Sequence, residues 1–145
     1  MDLKLLDLMG IYNDTPENFA KVFKKCQDEL LIAADLDPEF FENNLFLDTI
    51  MELAKRGITI KLIYSSEAKL EKIPVLKGMI DKGYISAKLR DGLDDYFIVA
   101  DGWHYRAHGY INRKSFEIAR KFRAQFDRMW NSQSHGSNLY QRMYA

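Results

Sequence analysis

Apolar residues along the chain occur either in continuous runs or at helical spacing. Thr15 and Pro16 have the residue types of an N-cap and a first helical position. Apolar residues then recur at helical spacing at Phe19, Val22, Phe23, Cys26 and Leu30. The continuous apolar run at 30–34, bounded by Asp35 and Pro38, predicts a strand buried on both faces.

A second helix and strand follow directly. The pattern predicts a helix that begins near Asn44 and ends at 55–57, where basic residues precede a glycine. Residues 58–64 are rich in β-branched residues and predict the next strand. A strand, a helix and a strand in this order predict a parallel pair joined by a right-handed crossover.

Shorter elements complete the predicted fold. The residues from Ser65 predict a helix that Pro74 breaks, followed by strands at 84–89 and 95–100 and an antiparallel return strand at 103–108. A last amphipathic helix is predicted over 114–130, with Phe116, Ala119, Phe122, Phe126 and Met129 or Trp130 on its apolar face. The fold class is therefore α/β, with a mixed, largely parallel sheet flanked by helices. Residues 1–130 form one domain and 131–145 a polar C-terminal tail.

Composition narrows the class of protein. The chain has 145 residues, and its 21 basic and 21 acidic residues cancel, which argues against a nucleic-acid partner attracted by net charge. Cys26 is the only cysteine, which excludes an intrachain disulfide and disfavours a cysteine-based metal site. No apolar run is long enough to span a membrane, and the first residues lack a signal-peptide pattern, so the expected location is cytoplasmic.

The order of these segments resembles a single repeat of the phospholipase D superfamily. The resemblance rests on the strand that ends at Ala34, the segments 54–63 and 95–102, and the aromatic-rich helix at 122–130. It covers residues 11–130, nearly the whole chain. It implies the fold of one phospholipase D half.

The catalytic motif of that family is degenerate here. Active members carry His-x-Lys-x-x-x-x-Asp on the third strand. Aligned on Asp101, the histidine position is Asp94 and the lysine position is Tyr96. The family's Gly-Ser-x-Asn is similar to residues 109–112, where Tyr110 replaces the serine and Asn112 remains. The resemblance implies a nucleophilic histidine and a phosphate-binding lysine, and both are missing, so we expect no phosphoryl transfer.

Three basic side chains on the predicted return strand suggest a binding surface. His104, Arg106 and His108 alternate with other residues, which predicts that they share one face and can receive an anion. The alternative is a solvated face on which Arg106 pairs with Asp94 or Asp95. A metal site that combines the two histidines with Asp101 or Asp94 lacks an assured third ligand, so no metal and no cofactor are expected.

Residues at the ends of the parallel strands complete the expected cleft. Asp35 and the serines at 65 and 66 follow the first two strands, and pockets in parallel sheets open at such strand ends. Helix capping and turn formation explain these residues equally well. The basic residues of 113–128 are interspersed with Glu117 and Asp127, so an ordinary amphipathic surface is favoured over a nucleic-acid interface.

The sequence therefore predicts a catalytically inactive binding or regulatory module. Its ligand is a small anion or a partner protein. The predicted ligand-binding residues are Asp94, Tyr96, Arg106, His108, Asn112 and Asp101. Because active single-repeat members pair two copies, the resemblance also implies a homodimer. The rival prediction is a divergent phosphodiesterase or nuclease that uses His104 or His108.

Overall fold

A computed structural model describes residues 9–113 and 115–132. Its centre is a seven-stranded sheet with the strand order β1-β7-β6-β5-β2-β3-β4. The strands are β1 (Ile11–Asn13), β2 (Glu29–Ala34), β3 (Thr59–Tyr64), β4 (Ser86–Leu89), β5 (Phe97–Ala100), β6 (His104–Ala107) and β7 (Tyr110–Asn112). The helices are α1 (Pro16–Phe23), α2 (Pro38–Phe41), α3 (Asn44–Lys55), α4 (Glu67–Glu71), α5 (Pro74–Asp81) and α6 (Phe116–Asn131).

The sheet is mixed but mostly antiparallel, so the predicted largely parallel sheet is wrong. Only the pairs β2–β3 and β3–β4 are parallel, as the β2–α3–β3 order requires. The pairs β2–β5, β5–β6, β6–β7 and β7–β1 are antiparallel. The physical reason is the length of the connections: two- or three-residue turns join β5 to β6 and β6 to β7, and such turns reverse the chain direction.

The strand β2 lies between a parallel and an antiparallel neighbour. Five of its six residues are buried, which confirms the strand predicted from the continuous apolar run. Both its backbone edges are paired, one to β3 and one to β5. Strands β1 and β7 have three residues each and were not predicted from the sequence.

The helices begin at the polar residues that the sequence indicates. Thr15 caps α1 by accepting a hydrogen bond from the backbone N–H of Asn18 at 3.1 Å, with Pro16 at the first position. Asn43 rather than Asn44 caps α3, and Ser66 caps α4. Pro74 ends one short helical stretch and starts the next, as predicted.

Two apolar cores lie on opposite faces of the sheet. The larger core packs α1 to α5 on one face, with Phe19, Phe23, Phe46, Ile50 and Leu53 completely buried. The smaller core lies under α6, where Ala119 and Phe126 are buried. Phe116, predicted on the apolar stripe of this helix, is 40% exposed and contacts Trp103 instead. Of the predicted tail 131–145, residues 133–145 lie outside the described part of the chain.

Candidate functional site

Polar side chains meet where the parallel strands β2 and β3 end. Asp35 follows β2 directly, and Ser65 follows β3. Asp35 accepts hydrogen bonds from Ser65 Oγ at 2.9 Å and from Lys69 Nζ at 2.7 Å, with Lys69 on the first turns of α4. The bond from Lys69 lowers the pKa of Asp35, and the same bond raises the pKa of Lys69. Asp35 and Ser65 thus meet at this strand end, together with Lys69, which sequence reasoning missed. The cleft at this edge stays a prediction.

Two of the predicted ligand-binding residues lie at this same edge. Asp94 and Tyr96 precede β5, and β5 runs antiparallel to β2 with Phe97 opposite Ala33. Tyr96 is 45% exposed and immediately precedes Phe97 at this edge. Asp94 is exposed as well. We call the group of Asp35, Ser65, Lys69 and Tyr96 the strand-end cluster.

Arg106 lies on β6, opposite Ile98 of β5. Its Nε donates to Asp14 Oδ1 at 2.6 Å, and its guanidinium carbon lies 3.8 Å from the ring centroid of Phe40. The Arg106 and Asp14 side chains are only 18% and 19% exposed. The predicted pairing of Arg106 with Asp94 or Asp95 is therefore wrong, and Asp95 instead accepts a hydrogen bond from Gln125.

The predicted strip of three basic residues on one face does not form. His104 and Arg106 lie on the face of α1, where Phe23 contacts the His104 ring and Asp14 pairs with Arg106. His108 follows the end of β6 with a positive φ of 55°, and its ring lies 6.4 Å from that of Phe122 on α6. The left-handed backbone at His108 breaks the alternation of a strand, which the sequence pattern could not reveal.

Asp101 serves the chain connection between α1 and β2. Its carboxylate accepts backbone N–H groups from Gln27, Asp28 and Glu29 at 2.9, 2.8 and 3.0 Å. Burial of the carboxyl opposes its ionisation, but these three hydrogen bonds outweigh it and lower the pKa of Asp101. Because Asp101 follows β5 and Asp94 precedes it, the two residues lie at opposite ends of that strand. Asp101 is thus not positioned to share a ligand with Asp94.

Asn112 also has a local partner. Its Oδ1 accepts a hydrogen bond from the backbone N–H of Ser115 at 3.1 Å, immediately before α6 begins. In the register of β6 and β7 it lies opposite Tyr105, which packs against the smaller core. Asn112 therefore lies on the sheet face opposite Arg106, and the predicted six-residue site does not converge.

A second polar concavity lies at the other end of β6. Its cavity of about 300 Å³ is lined by Tyr12, Lys21, Val22, Lys25, His104 and Arg113, which we call the basic pocket. Arg113 Nε donates to Tyr12 Oη at 2.8 Å, and Lys21 Nζ lies 4.9 Å from the Tyr12 ring centroid. Sequence reasoning missed this pocket because β1 and β7, which carry Tyr12 and position Arg113, are too short to predict. The nearness of Lys21 and Lys25 in the sequence, on α1 and in the turn after it, was the one available signal.

His104 is held at the wall of the basic pocket. Its Nδ1 lies 3.1 Å from the backbone carbonyl oxygen of Arg113, which can only accept, so Nδ1 carries the proton. Burial lowers the pKa of His104, and the hydrogen bond to Arg113 opposes this effect only in part. At neutral pH the ring is therefore uncharged, with Nε2 unprotonated.

The described part of the chain contains neither a metal-ligand cluster nor a spanning helix. Within residues 9–113 and 115–132, no three His, Cys, Asp or Glu side chains are grouped to hold a metal ion. None of the helices in these ranges combines the length and the apolar composition that crossing a bilayer requires. The cytoplasmic location stays a prediction.

Comparison with solved structures identifies the fold. The chain has a phospholipase D-like fold: it superposes on Nuc from Salmonella typhimurium, a phospholipase D family member, with a TM-score of 0.58 and 12% identity over 84% of this chain and 91% of that one. It also superposes on TrmBL2, an archaeal chromatin protein that binds DNA, with a TM-score of 0.64 and 16% identity over 88% of this chain. That match spans 58% of TrmBL2.

The sequence comparisons add no closer assignment. No protein-family profile and no curated protein sequence matches the chain. At 12% and 16% identity the likeness establishes the fold and not the activity.

Proposed function

We propose that this chain is a non-catalytic phospholipase D-like domain that acts as a binding or regulatory module for a small anionic ligand or a partner protein. One observation carries the proposal. A cation at the end of β2, where β5 begins, already has a carboxylate partner, and the proposed alignment on Asp101 assigns Asp94 and Tyr96 at this end to the positions of a nucleophile and a lysine. Lys69 is bound to Asp35 in this way.

Electrostatics explains why this arrangement does not support phosphodiester cleavage. The family reaction places growing negative charge on phosphate oxygens, which needs cations that are not already neutralised. Arg106 is paired with Asp14, and both side chains are largely buried. A carboxylate at position 94 adds repulsion where the phosphate approaches. Tyr96, which is 45% exposed, presents a hydroxyl that can donate to or accept from a polar ligand.

The rival hypothesis is an enzyme that uses a displaced histidine. His104 lies at the other end of β6, with its Nδ1 at the Arg113 carbonyl. His108 packs toward Phe122 on the opposite face of the sheet. Neither ring lies beside the strand-end cluster, so the geometry favours the binding module over the phosphodiesterase.

Hydrolysis assays separate these two functions. Purified protein is incubated with bis-p-nitrophenyl phosphate and with single-stranded DNA, each with and without EDTA. We expect no turnover above the buffer control. Turnover that disappears in His108→Ala or His104→Ala would overturn the proposal, because it would assign the chemistry to a relocated histidine.

Self-association is a separate proposal that rests on the resemblance to paired phospholipase D halves. Light scattering coupled to size exclusion, at protein concentrations from 10 to 200 µM chosen to be on the order of weak-dimer affinities, tests it. A mass near twice 17.0 kDa supports the homodimer. A constant monomer mass across the series contradicts it.

Duplex DNA is a second ligand to test, since the TrmBL2 structure concerns DNA binding. The observation in its favour is an exposed aromatic pair, Trp103 and Phe116, whose rings lie 5.0 Å apart with Arg120 stacked on Phe116 at 4.6 Å. Fluorescence anisotropy with a labelled 20-base-pair duplex, a length of about two helical turns, measures the affinity. Binding that weakens steeply with salt and is lost in Arg120→Gln supports this function, and salt-independent or absent binding argues against it.

A further inference from the structure

The basic pocket brings together cations that have no acidic partner among the described residues. Lys21 and Lys25 come from α1 and the turn after it, and Arg113 follows β7. Within residues 9–113 and 115–132, none of these three side chains forms an ion pair. By contrast, Lys69, Arg106 and Arg123 are each bound to a carboxylate. Three basic side chains without a described carboxylate partner therefore line one concavity.

The pocket is also shaped to hold its cations in place. The Tyr12 hydroxyl accepts a hydrogen bond from Arg113 Nε, and the Lys21 ammonium makes a cation–π contact with the Tyr12 ring. One tyrosine thus contacts two cations from different elements. The Arg113 carbonyl fixes the tautomer of His104. Because the Tyr12 contacts restrain Arg113 and Lys21 before a ligand binds, they lower the ordering cost of binding for these two cations.

We propose that the basic pocket binds a phosphate group of a small soluble molecule, such as a phosphate ester or a diphosphate. This inference rests on the proposed binding function and assigns its anion to a site away from the strand-end cluster. The volume of about 300 Å³ is at the lower end of small-molecule sites, which suits a compact ligand. Lys21, Lys25 and Arg113 supply charged donors to the phosphate oxygens.

His104 makes the pocket sensitive to the charge of its ligand. In the absence of a ligand, burial and the nearby positive charges of Arg113 and Lys25 favour the neutral ring, while Asp101 and the Arg113 carbonyl favour the protonated one. Lys21 and the Tyr12 hydroxyl also face the pocket. A bound phosphate adds negative charge close to the ring, so protonation of Nε2 becomes more favourable and adds a further donor. The His104 ring is therefore a spectroscopic reporter for binding.

Calorimetric titration with pyrophosphate tests the proposal, with inorganic phosphate and methyl phosphate as further probes. The variant Lys21→Gln/Lys25→Gln removes two charges from the pocket. Its matched control is Lys72→Gln/Lys82→Gln, which removes the same charge from two exposed residues. Lys72 follows the C-terminal end of α4, and Lys82 follows that of α5. We expect pyrophosphate affinity to fall at least about tenfold in the pocket variant, as the loss of one charged hydrogen bond predicts, and to stay within about twofold in the control.

Two further measurements keep the test decisive. Far-ultraviolet circular dichroism checks that both variants fold, and His104→Gln serves as a single-site alternative if the double variant does not. In the wild-type protein, the ring C–H resonances of His104 should shift on pyrophosphate addition, and not on addition of sodium chloride at equal ionic strength.

Three results would contradict phosphate binding in the basic pocket. No pyrophosphate binding by the wild type at 10 mM, a concentration on the order of the weakest useful affinities, would overturn the inference. Equal weakening in the pocket variant and its control overturns it too, because the effect then reflects net charge alone. Duplex DNA binding that depends on Lys21 and Lys25 without pyrophosphate binding assigns the surface to a different ligand. Phosphodiester turnover, by contrast, contradicts only the non-catalytic function.

Discussion

The Asp101 carboxylate offers the sharpest test of the site assignment, because the sequence predicts a ligand contact and the structure gives it a role in the fold. Its oxygens accept three backbone N–H groups from the connection between α1 and β2. Asp101→Asn removes the charge and replaces one oxygen by a donor. Asparagine tolerates the positive φ of 58° at this position, so the substitution adds no backbone strain.

The hydrogen-bond pattern sets the size of the expected effect. Oδ1 accepts from Asp28 and Glu29, whereas Oδ2 accepts only from Gln27. With the amide oxygen in the Oδ1 position, the two hydrogen bonds from Asp28 and Glu29 persist without charge assistance, and each loses about 1 kcal/mol. The amide nitrogen then faces the backbone N–H of Gln27. Because both groups are donors, that hydrogen bond is lost. Water reaches Gln27 and Asp28, which are exposed, and limits that last penalty. We expect a loss of about 2–3 kcal/mol in the free energy of unfolding.

Urea unfolding followed by circular dichroism at 222 nm measures this loss. Asp94→Asn is the matched control, since it makes the same chemical change at an exposed residue of the same segment. We expect the control to change stability by less than about 0.5 kcal/mol. A loss below that value in Asp101→Asn, or an equal loss in both variants, would refute the role assigned to Asp101.

The pH dependence provides an independent check. The pKa of Asp101 is lowered in the folded chain from its ordinary value of 3.8, so the unfolded chain binds the proton more readily. The stabilisation is therefore complete above pH 3.8 and is lost as the pH falls through the lowered pKa. The stability difference between the wild type and Asp101→Asn should narrow below that pH. A difference that stays constant or widens on acidification contradicts the reasoning.

Two further substitutions probe the packing beside the site and under α6. Arg106→Ala leaves the Asp14 carboxylate, which is only 19% exposed, without its partner, and should lower the free energy of unfolding by about 3 kcal/mol. Adding Asp14→Asn should recover part of this loss. Strictly additive losses in urea unfolding would contradict the pairing. Phe126→Ala removes a completely buried ring and should lower the free energy of unfolding by about 3–5 kcal/mol. Phe116→Ala, at a residue that is 40% exposed, should lower it by less than about 1 kcal/mol. Equal shifts in melting temperature for the two variants would contradict the packing of α6 on the sheet.

Local sequence patterns were sufficient for the elements that carry their own signal. The run at 30–34 is buried on both faces as predicted, because a stretch without polar residues has no side to present to water. Thr15 and Pro16 start α1, because capping and a fixed φ depend on neighbours within one turn.

Strand direction and the short strands were beyond such patterns. Hydrophobic periodicity does not record whether a neighbour runs parallel or antiparallel, so the sheet was predicted largely parallel although most of its pairs are antiparallel. Strands β1 and β7, with three residues each, are stabilised by pairing with distant segments. A positive φ at His108 then turned its ring to the face opposite Arg106, which the alternation rule does not anticipate.

The sequence by itself determined the main buried strands and the capping residues of α1 and α4. Only the tertiary structure decided which polar groups meet. Arg106 pairs with Asp14, which lies 92 positions away in the sequence, and Asp101 accepts a hydrogen bond from the backbone N–H of Gln27, 74 positions away. Lys21, Lys25 and Arg113 likewise converge on one pocket from separate elements. The physical reason is that secondary structure follows from interactions within a few residues. A binding site is instead formed by residues that are distant in the sequence, and no local pattern indicates which of them will meet.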